Sequence, residues 1–242
     1  MSEALLTVQG LKKRFGGFVA LSDVELQIAE GERVGLIGPN GSGKTTLVNC
    51  LCGTLRHDTG QIVFRGVELS GFPAHKRTRL GLARSFQLPR PFPTMTLAEN
   101  VLVPSLYAGS KATRAALRSS QRCEELLDMV GLLAKADRRP GELTQIELRK
   151  LELARAMASE PTLLIADEAM AGLSHQEVDE ILALLMKLNA RGVTIMMIEH
   201  IMRAVLAFSQ RLIVLVAGRK IADGEPNHVI RQPDVVAAYL GS

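Results

Sequence analysis

Two hydrophobic rhythms alternate along the chain. Near its start, Val24-Glu25-Leu26-Gln27-Ile28 switches between apolar and polar at every residue, the period of a half-buried strand. Leu5–Gln9 and Arg33–Ile37 are similar short runs broken by Gly, Asp and Glu, and Gln61–Arg65 is a further strand candidate. Val34–Ile37 runs straight into Gly38, and the pattern predicts a helix from Lys44. From about Pro73 to Ser159 helical spacing dominates, with Glu124–Val130 and Glu147–Met157 the clearest stretches. Pro89, Pro91, Pro93 and Pro140 punctuate it as turns or extended entries. Beyond Pro161 the strands return as Thr162–Ala166, Val193–Ile198 and Leu212–Val216. Between the first two, Val178, Ile181, Leu182, Leu185 and Leu188 form an apolar helical stripe, and Gly192 fits the end of that helix. Strands separated by helices predict a mostly parallel sheet, so the helical stretch reads as an insertion into an α/β core. There is no internal repeat and no low-complexity tract.

Composition narrows the class only a little. With 242 residues, 47% hydrophobic and 22% charged, the chain can bury a substantial core in one or two domains. A formal charge of +4 is too mild for a nucleic-acid binder, and no nucleic acid is expected. It does suit anionic nucleotides and the cytoplasmic face of a membrane. Cys50, Cys52 and Cys123 match neither a zinc site nor a redox pair, and read as reduced, buried thiols of a cytosolic protein. Met1-Ser2-Glu3-Ala4 lacks the features of a signal peptide, and no apolar run nears the ~20 residues that span a bilayer. Any link to a membrane is therefore expected to go through a partner.

The chemistry concentrates in two places. Gly38-Pro39-Asn40-Gly41-Ser42-Gly43-Lys44-Thr45 matches GxxxxGK[ST] and follows an apolar strand, the context a phosphate-binding loop requires. Gly41 and Gly43 let backbone N–H groups turn to a phosphate, and the helix from Lys44 adds its positive end. Lys44 is expected to reach the β- and γ-phosphates and Thr45 to bind Mg²⁺, with Thr46 beside it in the nucleotide site. Farther on, the apolar run Leu163–Ala166 ends in Asp167-Glu168. Asp167 is placed to hold Mg²⁺ through water and Glu168 to polarise an attacking water; capping the next helix is the alternative for such a pair. His200 ends another strand, which in a parallel sheet opens on the same edge as the loop. Gln87 is placed to contact Mg²⁺ or water.

Together these residues resemble the nucleotide-binding subunit of an ATP-binding cassette transporter, over nearly the whole chain. The resemblance implies an α/β fold: a P-loop NTPase core, with a mostly parallel sheet flanked by helices and an antiparallel β subdomain, plus an inserted α-helical subdomain. The core would cover about 1–86 and 160–242, the helical part about 87–159. It implies that Phe15, in Lys13-Arg14-Phe15-Gly16-Gly17, stacks on adenine, that Gly38–Thr45 is Walker A and Leu163–Asp167 Walker B. Glu168 matches the catalytic glutamate, Gln87 the Q-loop, His200 the switch histidine, and Ala171-Gly172-Leu173-Ser174 the D-loop that meets a partner cassette. Gly35–Gly41, Ala83-Arg84-Ser85-Phe86-Gln87, Phe92–Asn100 and Ala238-Tyr239-Leu240-Gly241 are similar to the ATPases of branched-chain amino-acid and amide importers. Those systems imply a second ATP-binding subunit in a hetero- or homodimer, two transmembrane permeases, a solute-binding protein acting indirectly, and a peripheral place on the cytoplasmic face of the membrane.

One motif departs from the family. Where it has LSGGQ, this chain has Leu143-Thr144-Gln145-Ile146-Glu147, with both glycines missing and an acid added. Thr144 still offers a hydroxyl and an N–H, but Gln145 and Ile146 put Cβ atoms where a phosphate approaches backbone. The family scheme places two ATP molecules between two cassettes, each held by one chain's Walker motifs and the other's signature. Paired with a different ATPase, the two sites are unequal, and the one with this chain's Walker residues is expected to do most of the hydrolysis. Rival readings are an ATPase of a lipid or lipopolysaccharide exporter, a soluble cassette ATPase acting on nucleic acid or ribosomes, and a nucleotide-binding regulator with little hydrolysis. The filled positions Glu168 and His200 speak against the last.

Overall fold

The computed structural model describes residues 4–85, 89–108 and 121–240. Ten strands form two sheets. In the first, β1 (Ala4–Phe15), β2 (Phe18–Ala29), β4 (Thr59–Phe64) and β5 (Val67–Glu68) run antiparallel in the order β2-β1-β4-β5. In the second the order is β10-β9-β3-β8-β7-β6, from β3 (Arg33–Ile37), β6 (Leu82–Ser85), β7 (Leu163–Asp167), β8 (Thr194–Ile198), β9 (Arg211–Val216) and β10 (Arg219–Gly224). All its neighbours pair in parallel except the β9–β10 hairpin at one edge. The described helices are α1 (Lys44–Cys52), α2 (Ala74–Arg79), α3 (Leu97–Ala108), α4 (Gln121–Met129), α5 (Gln145–Met157), α6 (His175–Ala190), α7 (Met202–Phe208), α8 (Pro226–Val229) and α9 (Pro233–Leu240).

The parallel sheet is covered on both faces, which is why β7 and β8 are buried at every position and largely apolar, yet strictly two-sided. Leu164, Ala166, Ile195 and Met197 point into one core with α3 to α6. Leu163, Ile165, Met196 and Ile198 point into the other, shared with α1 and the antiparallel sheet. In β2, by contrast, Val24, Leu26 and Ile28 are buried while Glu25 and Gln27 face solvent, as the alternation predicts.

The helical stretch expected from Pro73 to Ser159 is interrupted: Leu82–Ser85 is β6, an edge strand paired with β7. Four residues are too few to carry a strand period, and this strand is specified by its neighbour rather than by its own pattern. Pro104 lies inside α3, and Pro140 opens a short 3₁₀ turn, Pro140–Glu142. All three cysteines are buried thiols, with burial pushing Cys50 up to about 11 and Cys52 up to about 12. No helix among the described residues is long and apolar enough to cross a membrane.

One buried cation fixes the far end of α1. Arg77, 2% exposed, donates through Nη1 to Cys50 O (2.7 Å) and Leu51 O (2.8 Å), through Nη2 to Leu69 O (2.8 Å) and through Nε to Phe72 O (2.9 Å). It satisfies the last carbonyls of α1, where the helix's negative end collects. Arg77→Met removes all four of these bonds from a dry interior, leaving Leu69 O and Cys50 O only the Phe72 and Gly53 N–H groups, and should cost about 3 kcal/mol. The midpoint of urea unfolding measures this; an unchanged midpoint contradicts the assignment.

Candidate functional site

β3 delivers the chain to Gly38, and the next residues wrap the start of α1. Gly38 has φ +156°, and a Cβ there would lie 2.0 Å from Leu215 O. At Gly43, φ is +101° and a Cβ would lie 2.6 Å from Ala20 O. Only glycine fits either position. The first turn of α1 has no side-chain cap and no acidic residue. Its N–H groups and positive dipole end are left to an anion. Lys44 folds over the loop, its Nζ donating to Gly38 O (2.6 Å), Pro39 O (3.1 Å) and the buried Ser42 Oγ (3.4 Å). Burial lowers the Lys44 pKa, while Glu168 and then Asp167 act the other way. The expected acids are thus brought to the expected lysine. Asn40, Gly41 and Thr45 are exposed and Thr46 half-buried at this mouth.

β7 carries Asp167 to the same edge of the sheet. Asp167 is 6% exposed, and its Oδ2 accepts from Arg84 Nη2 at 2.5 Å. Arg84 Nη1 also donates to Asn49 Oδ1 on α1 (2.7 Å). One guanidinium therefore ties the acid to the phosphate helix. The hydroxyl of Thr45 and the carboxylate of Asp167 are hard oxygen donors that suit Mg²⁺, which would draw further ligands from phosphate and water. Glu168 follows with φ +47°, unusual for a residue with a Cβ, and its N–H donates to Ile198 O (2.9 Å). The turn lifts its half-buried side chain off the strand end.

The end of β8 adds Glu199 and His200. Glu199 is 2% exposed; its Oε1 accepts from Met170 N–H at 2.8 Å, and its Oε2 has no hydrogen-bond partner among the described residues. His200 Nδ1 stands 4.0 Å from that Oε2, with the imidazole side chain 68% exposed. Across the intervening loop, the buried Arg149 of α5 donates through Nη2 to Ala171 O (3.2 Å). The segment 169–172 is thus held from both sides, by Glu199 and by Arg149.

Phe15 and Phe18 are exposed at the tip of the β1–β2 hairpin, with Lys13 5.5 Å from the Phe15 ring centroid. The five signature positions run into α5, with Thr144 as its N-cap. Gln87 lies outside the described residues, as do Phe86, Leu88 and Gly241. Sequence reasoning gave no role to Arg84, Asn49, Glu199 or Arg149. For Arg84 and Glu199 the available signal was a charged residue in or beside an otherwise apolar strand; Asn49 and Arg149, on helices, offered none. Tyr239, read only as part of a tail, hydrogen-bonds the Gly38 backbone from α9.

Burial holds the Glu199 carboxyl above its ordinary value of 4.5, against the Met170 N–H bond and His200. The folded state keeps that proton where the unfolded chain has lost it, so stability falls as pH rises through the interval. Glu199→Gln retains an acceptor for Met170 N–H and removes this penalty. Its Tm should exceed the parent's by about 2–4 °C at about pH 8 and match it near pH 4.5. An equal shift at both pH values contradicts the burial argument.

The profile of the ABC transporter family matches residues 21–171. The chain is 41% identical over 253 residues to the high-affinity branched-chain amino acid transport ATP-binding protein BraF of Pseudomonas aeruginosa, covering 100% of this chain and 99% of that one. LivG of Escherichia coli K12, described in the same words, is 40% identical with the same coverage. Among solved structures, the ADP conformation of an ATP-binding cassette of an ABC transporter superposes with a TM-score of 0.89 at 30% identity, covering 100% of both chains.

Proposed function

Because the chain belongs to the ABC transporter family as an ATP-hydrolysing cassette, we propose that it energises a membrane importer of branched-chain amino acids or related amides. The observation that carries the mechanism is the uncapped start of α1, with Lys44 parked on its own loop's carbonyls and facing Asp167 and Glu168. The solute class rests on the likeness to BraF and LivG, whose names state theirs.

The residues divide the labour as follows. The N–H groups of residues 40–45 receive the phosphates of ATP, and Lys44 exchanges Gly38 O and Pro39 O for phosphate oxygens. Phe15 offers its exposed ring to adenine. Thr45, Asp167 and Gln87 would hold Mg²⁺, which when bound would supply positive charge beside the phosphates. Arg84 holds Asp167 through Oδ2 and so fixes the carboxylate that would serve that cation. Glu168 accepts the proton of the attacking water, and His200 orients the water and senses the γ-phosphate. A second cassette completes this chain's site with the N-terminus of its own signature helix.

A 440 Å³ groove runs between α2, α3, β6 and α5, lined by His75, Thr78, Arg79, Pro104, Tyr107 and Arg155. Its wall includes Leu82, Ala83 and Arg84 of β6, the strand that precedes Gln87 in the sequence. In this reading a cytoplasmic segment of a permease sits in the groove and holds the chain at the cytoplasmic face of the membrane. Closure of the cassettes reaches the permease through the strand that also carries Arg84.

In the transporter assembled in proteoliposomes, leucine and its binding protein should stimulate ATP turnover. Glu168→Gln should lower that turnover by about 100-fold or more, the scale of a lost general base, and leave ATP affinity within about threefold. Undiminished turnover in Glu168→Gln removes the proton-accepting role. Intact turnover that no branched-chain amino acid stimulates removes the solute assignment.

A further inference from the structure

One buried acid beside the hydrolysis site is only half used. Glu199, just past the end of β8, commits Oε1 to the Met170 N–H (2.8 Å), which hangs the loop 169–172 on the sheet edge. The residue is 2% exposed, and its Oε2 meets no hydrogen-bond donor among the described residues. The His200 backbone N–H is the weakest influence on the carboxyl and does not reach Oε2 at hydrogen-bond geometry. A buried oxygen left without a partner is uncommon and needs a reason.

The loop itself does not require an acid here. A glutamine would accept from Met170 N–H through its own Oε1 and bring no charge into a dry place. The chain keeps a carboxyl whose burial works against its charge, with Glu168 adding repulsion from the end of β7. On the α5 side, Arg149 feels the Glu199 charge but gives its hydrogen bond to Ala171 O (3.2 Å). A charge retained against stability points to function.

What faces the free oxygen is an imidazole. His200 Nδ1 stands 4.0 Å from Oε2, and its side chain is 68% exposed, so the ring has room to turn. A rotation that brings Nδ1 about 1 Å closer makes a hydrogen bond. An ionised carboxylate only accepts, so the bond requires the proton on Nδ1. That makes the other nitrogen an acceptor, because a neutral imidazole carries a single N–H.

We propose that Glu199 is a positioning residue for ATP hydrolysis: its Oε2 accepts the Nδ1–H of His200, which leaves Nε2 as the acceptor that orients the attacking water. The inference rests on the role given to His200 above and deepens it. The same carboxylate holds the loop 169–172, so the histidine and that loop share one anchor. Glu199→Gln keeps the anchor and reverses the histidine. The amide oxygen stays with Met170 N–H, the amide nitrogen faces Nδ1 as a donor, and the imidazole proton moves to Nε2.

Proton–nitrogen correlation spectra of the histidine side chains read this tautomer directly. They are taken at about pH 8 on the full chain with the slowly hydrolysed analogue Mg·AMP-PNP. His200 is picked out of the five histidines by its loss in His200→Gln. It should carry its proton on Nδ1 in the parent and on Nε2 in Glu199→Gln. In the assembled transporter Glu199→Gln should lower kcat about tenfold and leave KM for ATP within about twofold, although it is the more stable protein. A merely structural acid predicts neither change. A proton on Nε2 in the parent, the same tautomer in both proteins, or undiminished kcat in Glu199→Gln overturns the positioning role and leaves the ATPase reading standing. Parental turnover in His200→Gln removes the histidine from hydrolysis, and Glu199 with it. A parent that shows no calorimetric binding of Mg·AMP-PNP overturns the ATP site itself.

Discussion

The ammonium of Lys44 sits among carbonyl oxygens of its own loop, 2.6 Å from Gly38 O, at the foot of a helix that has neither cap nor acid. Much of the surrounding structure answers to that arrangement. An uncapped helix start costs stability unless an anion fills it, and here the nearby acids, Asp167 and Glu168, come from another strand. They cannot serve as caps, and both interact with the lysine. The loop is therefore held ready for a ligand whose negative charge is mobile and whose oxygens replace backbone carbonyls. The glycines follow from the same constraint, since a Cβ at Gly38 or Gly43 would strike the backbone of β9 or β2.

Parallel pairing turns this local feature into a site. β3, β7 and β8 end on one edge of the sheet, in registers that set Leu36 and Asp167 both opposite Ile198. The loop after β3, the acids after β7 and Glu199-His200 after β8 are thereby neighbours although far apart in sequence. Two arginines then connect the edge to neighbouring elements. Arg84 joins Asp167 to α1 from the strand that leads into 86–88, and Arg149 joins α5 to the loop 169–172. The phosphate site thus has short, charged links to the helical side and to the loop 169–172.

The legible and the illegible parts of the site separate along physical lines. The phosphate loop could be read because its glycines, lysine and helix start are one contiguous segment, and α1 begins at Lys44 as the pattern predicts. Strands β3, β7 and β8 could be read because burial on both faces gives each a continuous apolar run, Val34–Ile37, Leu163–Ala166 and Ile195–Ile198. β6 could not, because it is four residues long and owes its place to β7. The Arg84–Asp167–Asn49 link joins three distant segments, and no periodicity reports such a contact. Glu199 was visible as an acid beside His200, but its burial depends on how the 169–172 loop folds over it. The Thr144-x-x-Glu147 pattern is a local capping signal, whereas the Lys135–Glu147 ion pair that joins it is a tertiary fact.

The central claim is that the loop at α1 is a phosphate cradle in which Lys44 trades its own backbone for the ligand. Calorimetric titration of Mg·ATP into the wild-type chain and into Lys44→Ala, with adenosine as the phosphate-free control, measures that trade. The account predicts that Lys44→Ala lowers ATP affinity by about 100-fold, close to 2.7 kcal/mol, while adenosine binds both proteins equally weakly. ATP affinity unchanged by the loss of Lys44 would contradict it.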